Sequence, residues 1–274
     1  MANHYRADID TILSHRHDNG ANLWESPQKN LCKGAPFSTL ECALYLSELG
    51  VDPSDQLIKD IADLIFSTQR DDGRFRIASS TIYPCQTAYA ANVLCHMGYA
   101  NDERLNATFK HLLNTQYSDG GWRCNSFKYG HGPETDCSNP FPTLIALDAF
   151  RQTDLVEQTK ELDRAVAFLL EHWTIRKPIG PCHYGIGTLF MKVEFPFRTY
   201  NLFNYVYVLS FYESARNDKR FIEAFETLKS KLVDGKIIVE RIVPKLSKLS
   251  FCEKGQPSEL ATKRYQEILK NIGE

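Results

Sequence analysis

The stretch Gln116-Tyr117-Ser118-Asp119-Gly120-Gly121-Trp122 decides the predicted fold, because the chain repeats it in altered form. A shift of 47 residues places it on Gln69 to Phe75, with Gln, Asp and Gly at matching positions. A further copy precedes that segment by 53 residues. Three coincidences mark this copy: Asn19-Gly20 aligns with Asp72-Gly73, Cys32 with Cys85, and Cys42 with Cys95. Repeats of about 45 to 55 residues are typical of proteins whose repeated parts bury their apolar faces against one another.

Each repeat is predicted to form two helices. The first helix has apolar residues at i, i+3, i+4 and i+7, as in Leu57 to Ile65. The second helix is apolar around more of its circumference, as in Thr39 to Leu49, and it needs cover on most sides. The sequence therefore predicts an all-α fold, an α/α toroid of about five helical hairpins with an inner and an outer ring of helices. An open superhelical solenoid built from the same helix pairs also fits the pattern.

A single domain is predicted for the whole chain of 274 residues. Hydrophobic residues make up 43% of the chain and charged residues 24%, which are ordinary values for a globular protein with a sizeable core. The predicted repeats cover residues 5–50, 55–99, 103–152, 160–215 and 218–274. Each repeat is expected to contribute one helical hairpin to this domain.

The composition argues against a nucleic acid as partner and against a transmembrane segment. The net charge is −2, without the dense basic surface of a nucleic-acid-binding protein. The most apolar stretch, Tyr200 to Tyr212, has 13 residues, whereas a helix needs roughly 20 to span a bilayer. Met1 to Asp10 lacks the apolar core of a secretory signal, so the eight cysteines favour reduced thiols or metal ligands over disulfides. We expect a cytoplasmic protein.

The helix end Leu112 to Gln116 and the turn Asp119 to Trp122 resemble the repeat of the prenyltransferase and squalene (terpene) cyclase superfamily. In that repeat a helix ends in Gln and a Gly-x-Trp turn follows. A remnant, Val233-Asp234-Gly235, stands in the last repeat. The resemblance implies the α/α toroid, which hosts cyclases, zinc-dependent transferases and non-catalytic binding domains. The repeat also has a structural interpretation, in which Gln116 bonds the backbone at the helix end and Trp122 packs between neighbouring repeats.

Two carboxylates, Glu134 and Asp136, precede the second helix of the third repeat. Class II terpene cyclases, which resemble the predicted fold, carry an Asp-x-Asp-Asp motif at a comparable place, and its central Asp protonates an alkene or epoxide. The resemblance implies Asp136 and Glu134 as catalytic acids, with His183 as a further group for proton transfer. Cys137 stands where the last acid of the motif belongs, which weakens this interpretation because the acid needs partners that keep it neutral and strongly acidic. In the alternative, Asp136 or Ser138 caps the helix.

Cysteine and histidine side chains near the predicted starts of the second helices suggest a zinc site. Cys182-His183 with Cys137 or Cys124 resembles the ligand set of lanthionine cyclases, another α/α toroid family, and prenyltransferases use similar ligands. The resemblance implies Cys137, Cys182 and His183 as metal ligands, with zinc as the cofactor. Against a metal site, a cysteine recurs shortly before every second helix, which indicates a packing choice inherited by duplication. These cysteines are Cys32, Cys85, Cys137, Cys182 and Cys252.

The loop from Gly180 to Tyr200 is longer than its counterparts, and long ordered loops on a rigid scaffold often carry binding residues. It combines aromatic rings with His183, Glu194 and Arg198, a set that suits a ligand with an apolar body and an anionic head, such as an isoprenyl diphosphate. The candidate ligand-binding residues are Trp122, Lys128, Asn139, Tyr184, Arg198 and Tyr200. In the alternative, the aromatic rings pack to close a ring of helices that is one hairpin short.

Three functions fit these observations. The first is a toroid whose central cavity binds an apolar or isoprenoid-like small molecule, either as a terpene cyclase/prenyltransferase-like enzyme or as a relative that only binds. The second is a zinc-dependent enzyme of thiol chemistry that acts on a peptide or a lipid. The third is a non-catalytic helical-repeat scaffold that presents one face to a protein partner.

Overall fold

The computed structural model describes residues 4–78, 82–124, 130–155 and 160–274. These residues are mostly helical, as the repeats predicted. The chain divides into two compact units, an N-terminal unit of Met1–Asn114 and a C-terminal unit of Thr115–Glu274. The single domain expected from the composition stays a prediction.

The helices follow the predicted alternation of first and second helices. In the N-terminal unit they are α1 (Arg6–Ser14), α2 (Thr39–Glu48), α3 (Gln56–Phe66), α4 (Pro84–Leu94) and α5 (Leu105–Asn114), and a π-helical turn, Cys95–Tyr99, continues α4. In the C-terminal unit they are α6 (Pro140–Phe150), α7 (Lys160–Ile175), α8 (Leu202–Leu209), α9 (Glu213–Arg216), α10 (Lys219–Lys229) and α11 (Glu259–Ile272). The second helix predicted for the fourth repeat is divided, because α8 ends at Leu209 and the short α9 begins at Glu213.

Short strands in the described part of the C-terminal unit depart from the purely helical prediction. They are β1 (Glu194–Phe195), β2 (Leu232–Val233), β3 (Lys236–Ile237) and β4 (Arg241–Ile242). β1 pairs with β4 in parallel, and β2 pairs with β3 antiparallel across the turn Asp234-Gly235. Both turn residues have a positive φ, 50° and 73°, which is the geometry that an Asp-Gly hairpin turn favours. The repeat remnant in the last repeat is therefore the tip of a β-hairpin.

First and second helices form separate layers within each unit. In the N-terminal unit, the second helices α2 and α4 contact each other, and α1, α3 and α5 pack against them. In the C-terminal unit, α8 contacts both α6 and α11, while α7 and α10 contact each other and pack on α6 and α8. All eight residues of α8 are buried, as expected for a helix covered on most sides. The helix α11 departs from this pattern, because it buries a single face that includes Tyr265 and Ile268.

The glutamine of the repeat bonds the first helix of the repeat that follows it. The Nε2 of Gln69, which follows α3, donates to the carbonyl of Arg104 at 2.7 Å and to Oγ1 of Thr108 at 2.9 Å. The Nε2 of Gln116, which follows α5, donates to the carbonyl of Glu161 in α7 at 2.6 Å. The glutamine thus bonds the backbone at the start of the following first helix.

A second tie joins the glycine turn to the second helix that follows. The amide two residues after the turn glycine donates to a threonine hydroxyl of that helix in three repeats. These bonds run from Phe75 to Thr87 at 3.2 Å, from Trp122 to Thr143 at 3.1 Å, and from Ile237 to Thr262 at 3.1 Å. We call the turn glycine, the amide and the threonine the repeat joint. The last of the three shows that the Gly235 remnant keeps the joint although its flanking residues form a hairpin.

The turn glycine of the joint packs directly on backbone. Gly120 has a φ of 97°, a left-handed conformation that glycine adopts without strain. A Cβ atom at this position would lie 2.5 Å from the carbonyl oxygen of Arg164 in α7. The glycine is therefore required both by the turn and by the close approach of the first helix.

Candidate functional site

Two loops of the C-terminal unit come together and hold most of the predicted site residues. The amide of Gly180 donates to the carbonyl of Glu134 at 2.8 Å. The amide of Cys182 donates to Oδ1 of Asn139 at 2.9 Å. Gly180 has a φ of 76°, and a Cβ atom there would lie 2.5 Å from the carbonyl oxygen of Ser138. The loop before α6 and the loop before α8 are thus fixed to each other by backbone contacts.

Two of the predicted ligand-binding residues have structural roles. Trp122 is 3% exposed, and its ring stacks on Phe150 with a centroid distance of 6.2 Å. Asn139 is buried. Its backbone amide donates to the carbonyl of Trp122, and its side-chain Oδ1 accepts from the backbone amide of Cys182. Both side chains therefore position the loops. Lys128, another predicted ligand-binding residue, lies outside the described residues.

Glu134 and His183, two of the predicted catalytic residues, form a pair at the surface. Oε1 of Glu134 lies 3.6 Å from Nε2 of His183, and the two side chains are 41% and 37% exposed. His183 has a φ of 54°, which is uncommon for a residue with a side chain. Its ring lies against Gly130, where a Cβ atom would collide with it. The two loops thus bring Glu134 and His183 together at the surface.

Asp136, the third predicted catalytic residue, binds a different partner. Its Oδ1 lies 3.0 Å from Nη2 of Arg123, and its side chain is 72% exposed. The expected capping by Asp136 or Ser138 is wrong, because α6 begins at Pro140 after Asn139 and has no side-chain cap. Ser138 instead donates its amide and its hydroxyl to the carboxylate of Asp119 at 2.7 and 2.6 Å. The acid of the repeat thus holds the loop on which Asp136 lies.

The predicted metal ligands are not gathered. Among the residues that the structure describes, no group of three His, Cys, Asp or Glu side chains is arranged to hold a metal ion. Cys137 donates its thiol to the carbonyl of Glu134 at 3.3 Å, so this sulfur bonds its own loop. Cys182 faces Cys124 and Asn139. The structure therefore does not support zinc binding by Cys137, Cys182 and His183.

The cysteine thiols of this site are not activated. Burial raises the pKa of the Cys182 thiol, and the neighbouring Cys124 adds to the effect while Asn139 opposes it. Burial likewise raises the pKa of Cys137. A reactive cysteine needs a lowered pKa, because the thiolate is the nucleophile. These environments are those of packed thiols.

Four aromatic side chains, Phe141, Tyr184, Phe190 and Tyr200, form a connected group that we call the aromatic cluster. The ring centroids are 5.6 Å apart for Phe141 and Tyr184, 5.7 Å for Tyr184 and Tyr200, and 5.0 Å for Phe190 and Tyr200. Phe190 is buried, and the other three residues are half-buried. Tyr184 and Tyr200, both predicted for ligand binding, are therefore neighbours in this cluster.

A buried histidine that the sequence analysis did not single out fixes one ring of this cluster. His172 of α7 is fully buried; its Nδ1 lies 2.6 Å from the hydroxyl of Tyr200 and its Nε2 lies 3.1 Å from the carbonyl of Lys177. A carbonyl can only accept, so Nε2 carries the proton and Nδ1 accepts from Tyr200. Burial lowers the pKa of His172 to about 4. The only signal in the sequence is a histidine on the apolar face of a first helix.

The neutral state of His172 predicts a pH dependence of stability. The pKa rises from about 4 in the folded chain to the ordinary 6.5 on unfolding. The contribution of neutral His172 to the free energy of unfolding is therefore fully present above pH 6.5. It is lost as the pH falls towards 4, by roughly 3 kcal/mol in all. Urea unfolding of the wild type should show this loss, whereas His172→Gln should show a flatter profile over the same range.

The matched control for this prediction is His131→Gln, which changes an exposed histidine of the same unit. The His131→Gln variant should keep the wild-type pH profile because it leaves the buried His172 and its hydrogen-bond partners unchanged. Parallel profiles for the wild type and His172→Gln between about pH 7 and 4 would contradict the assignment.

Arg198, predicted to hold an anionic head group, is engaged inside the unit. Its side chain is 13% exposed, and its Nη1 lies 3.6 Å from Oδ2 of Asp148, which is 6% exposed. Oδ1 of the same carboxylate lies 2.6 Å from Nε of Arg151. The charge of Arg198 is thus paired with Asp148, and the position gives a ligand little access to it.

Comparisons with known proteins assign no family and no function to this chain. No protein-family model matches the chain, and no curated protein matches its sequence. None of the helices in the described ranges combines the length and the apolar character that crossing a membrane requires. The resemblance to the prenyltransferase and cyclase superfamily therefore rests on the repeat residues themselves.

Proposed function

We propose that the protein binds an apolar, isoprenoid-like small molecule on the aromatic cluster of its C-terminal unit. The observation that carries the proposal is the contact among three half-buried rings, Phe141, Tyr184 and Tyr200. Aromatic side chains commonly line small-molecule sites, and these three rings are only partly covered by the protein. Both tyrosines belong to the loop whose composition predicted a binding site.

The cluster is held in place before any ligand arrives. Tyr200 is fixed through its hydroxyl by His172, and the ring of Phe190 packs against Trp173 and Tyr205 at centroid distances of 6.4 and 5.8 Å. The segment that leads to Tyr184 is anchored by its backbone, because the amides of Ile179 and Tyr184 bond each other's carbonyls at 3.0 and 3.1 Å. A preorganised surface of this kind loses little conformational entropy on binding.

Binding is better supported than acid catalysis. An acid that protonates an alkene must be a neutral carboxyl in a buried setting. The side chains of Glu134 and Asp136 are 41% and 72% exposed, and each lies beside a basic side chain. Neither side chain has the buried setting that such an acid needs, so we assign both to the rim of the loops rather than to proton transfer.

The α/α toroid, the cytoplasmic location and the absence of a nucleic-acid partner belong to the same proposal. The separate layers of first and second helices within each unit support a toroid with an inner and an outer ring. The repeat joint supports a regular succession of hairpins. A net charge of −2 supports a partner other than nucleic acid.

An isoprenoid alcohol tests the proposal. Saturating farnesol is expected to raise the melting temperature by about 5 °C, because a ligand at a hundred times its Kd adds about 2.7 kcal/mol to the stability of the folded state. Farnesyl diphosphate should stabilise the protein to a similar extent when it binds at the aromatic cluster. The diphosphate adds little there because Asp148 already neutralises Arg198. Tyr184→Ala should weaken farnesol binding about tenfold by removing one wall of the cluster.

Tyr99→Ala provides the matched control. Tyr99 is a half-buried tyrosine of the N-terminal unit that packs edge-on against Phe66 at 6.0 Å, so its loss removes a comparable ring elsewhere. Farnesol affinity should be unchanged in this variant. Binding at the aromatic cluster would be refuted if farnesol caused no thermal shift. It would also be refuted if Tyr184→Ala and Tyr99→Ala lost farnesol affinity equally.

A further inference from the structure

We propose a second binding site, in the N-terminal unit, for a small molecule that bears a phosphate or diphosphate group. The site is a groove of about 310 Å³ whose walls come from the loop before α2 and from the turn after α3. Its lining includes Gln28, Lys29, Ser67, Thr68, Arg70 and Arg76. All of these residues lie in one unit, so this site stands independently of the aromatic cluster.

The groove concentrates positive charge that the protein itself does not neutralise. Lys29, Arg70 and Arg76 line it, and no Asp or Glu stands among the described residues of its wall. Within the described part of the chain, no ion pair or side-chain hydrogen bond engages these three cations. Other arginines of the same unit are engaged, since Arg74 binds Asp72 at 2.6 Å and Arg104 binds Asp102 at 2.7 Å. Three cations that line one groove without a counter-charge in its wall form a site for an anion.

Backbone hydrogen bonds place the three cations around one space. The amide of Arg70 donates to the carbonyl of Arg74 at 2.8 Å, and the amide of Arg76 donates to the carbonyl of Thr68 at 3.0 Å. These bonds close the turn after α3 and set both arginines on the same side of it. On the opposite wall, the amide of Leu31 donates to the carbonyl of Ile77 at 2.8 Å, which brings the Lys29 segment alongside. Backbone hydrogen bonds thus fix the segments that carry the three basic residues of the groove.

The backbone at Lys29 is itself unusual. Its φ is 56°, in the left-handed region that residues with a side chain seldom adopt. The turn is closed by the amide of Lys29, which donates to the carbonyl of Ser26 at 2.8 Å. Strained positions of this kind concentrate at ligand sites, because the strain aims a side chain that an ordinary turn would not. Here the strained residue is the lysine that lines the groove from the loop before α2.

Size and chemistry together indicate a small phosphorylated ligand. A volume of about 310 Å³ lies at the lower end of the range for small-molecule sites. The hydroxyls of Ser67 and Thr68 already donate to the carbonyls of Leu64 and Ile65, both at 2.7 Å, so the cations and the Gln28 amide are the donors left for an anion. Arginine pairs and a lysine suit the tetrahedral oxygens of phosphate. A nucleic acid needs an extended basic surface, which the net charge of −2 disfavours.

Calorimetric titration with inorganic pyrophosphate, and with inorganic phosphate in a parallel arm, tests the proposal on the full chain at low salt. We expect pyrophosphate to bind more tightly than phosphate and both to weaken as salt rises, because the contacts are charge pairs open to solvent. Arg70→Gln and Arg76→Gln should each weaken pyrophosphate binding about tenfold, whereas Arg70→Lys, which keeps the charge, should retain part of the affinity.

Arg6→Gln is the matched control, because it removes the same charge from the same unit at a side chain that is 74% exposed and pairs with Asp10 outside the groove. Circular dichroism melting confirms that the variants fold. An equal loss in Arg6→Gln, or no pyrophosphate binding at millimolar concentration, would overturn the site. Binding of short duplex DNA more tightly than pyrophosphate would also overturn it, in favour of a nucleic acid.

Discussion

Gly120→Ala is expected to destabilise the C-terminal unit by about 3 kcal/mol or more. The new Cβ atom would lie 2.5 Å from the carbonyl oxygen and 2.6 Å from the carbonyl carbon of Arg164, and neither atom can move without shifting α7. The left-handed φ of 97° adds strain of its own. Urea unfolding followed by tryptophan fluorescence measures the loss, since Trp122 lies two residues beyond the substitution.

Gly235→Ala separates these two causes. Gly235 occupies the same position in the repeat joint with a φ of 73°, yet a Cβ atom there would meet nothing within 4 Å. Only the conformational strain should remain, at about 1 kcal/mol. The difference between the variants then measures the contact between the turn and the first helix. Equal losses in Gly120→Ala and Gly235→Ala would show that this close contact does not limit stability.

Asp148→Asn is expected to destabilise the folded chain by about 4 kcal/mol, because it leaves two largely buried guanidinium groups without their counter-charge. Asp148 lies on the buried helix α6, with Arg151 at 2.6 Å and Arg198 at 3.6 Å. The Arg151 guanidinium also lies over the Phe211 ring at 4.2 Å, an apolar face that cannot solvate it fully. Unfolding in urea at neutral pH gives the free-energy difference.

The control for this variant is Asp10→Asn, in which the same chemical change is made to an exposed ion pair. Arg6 and Asp10 lie 3.0 Å apart with side chains 74% and 54% exposed, so their separation should cost less than about 0.5 kcal/mol. A loss below about 1 kcal/mol in Asp148→Asn would mean that water reaches the cluster and solvates its arginines.

The periodicity of apolar residues was enough to place the helices. The second helix predicted over Thr39 to Leu49 is α2 at Thr39–Glu48, and the first helix predicted over Leu57 to Ile65 is α3 at Gln56–Phe66. The strands were missed because each contributes two residues, too few for an alternating pattern to emerge. Asp234-Gly235 is a dipeptide typical of hairpin turns, but it also matches the repeat, so the sequence alone does not distinguish the two.

The site was only partly predictable for a related reason. The sequence singled out Glu134, His183, Tyr184 and Tyr200 as candidates from their loops, but it did not predict which of these side chains would contact each other. The partner of Arg198 could not be foreseen, because Asp148 stands 50 positions earlier on a helix that is otherwise apolar. Contacts of this kind depend on how helices pack, and one sequence does not record them.

The repeat joint sets out where this chain can change and where it cannot. The joint amide and its threonine are separated by 12 positions in one repeat, 21 in another and 25 in the last, yet the bond keeps nearly the same length. Insertions and deletions can therefore accumulate in these intervals during evolution without displacing either helix. The interval between Trp122 and Thr143 contains Glu134 and Asp136. New surface chemistry can therefore be acquired there while the helical framework is inherited unchanged.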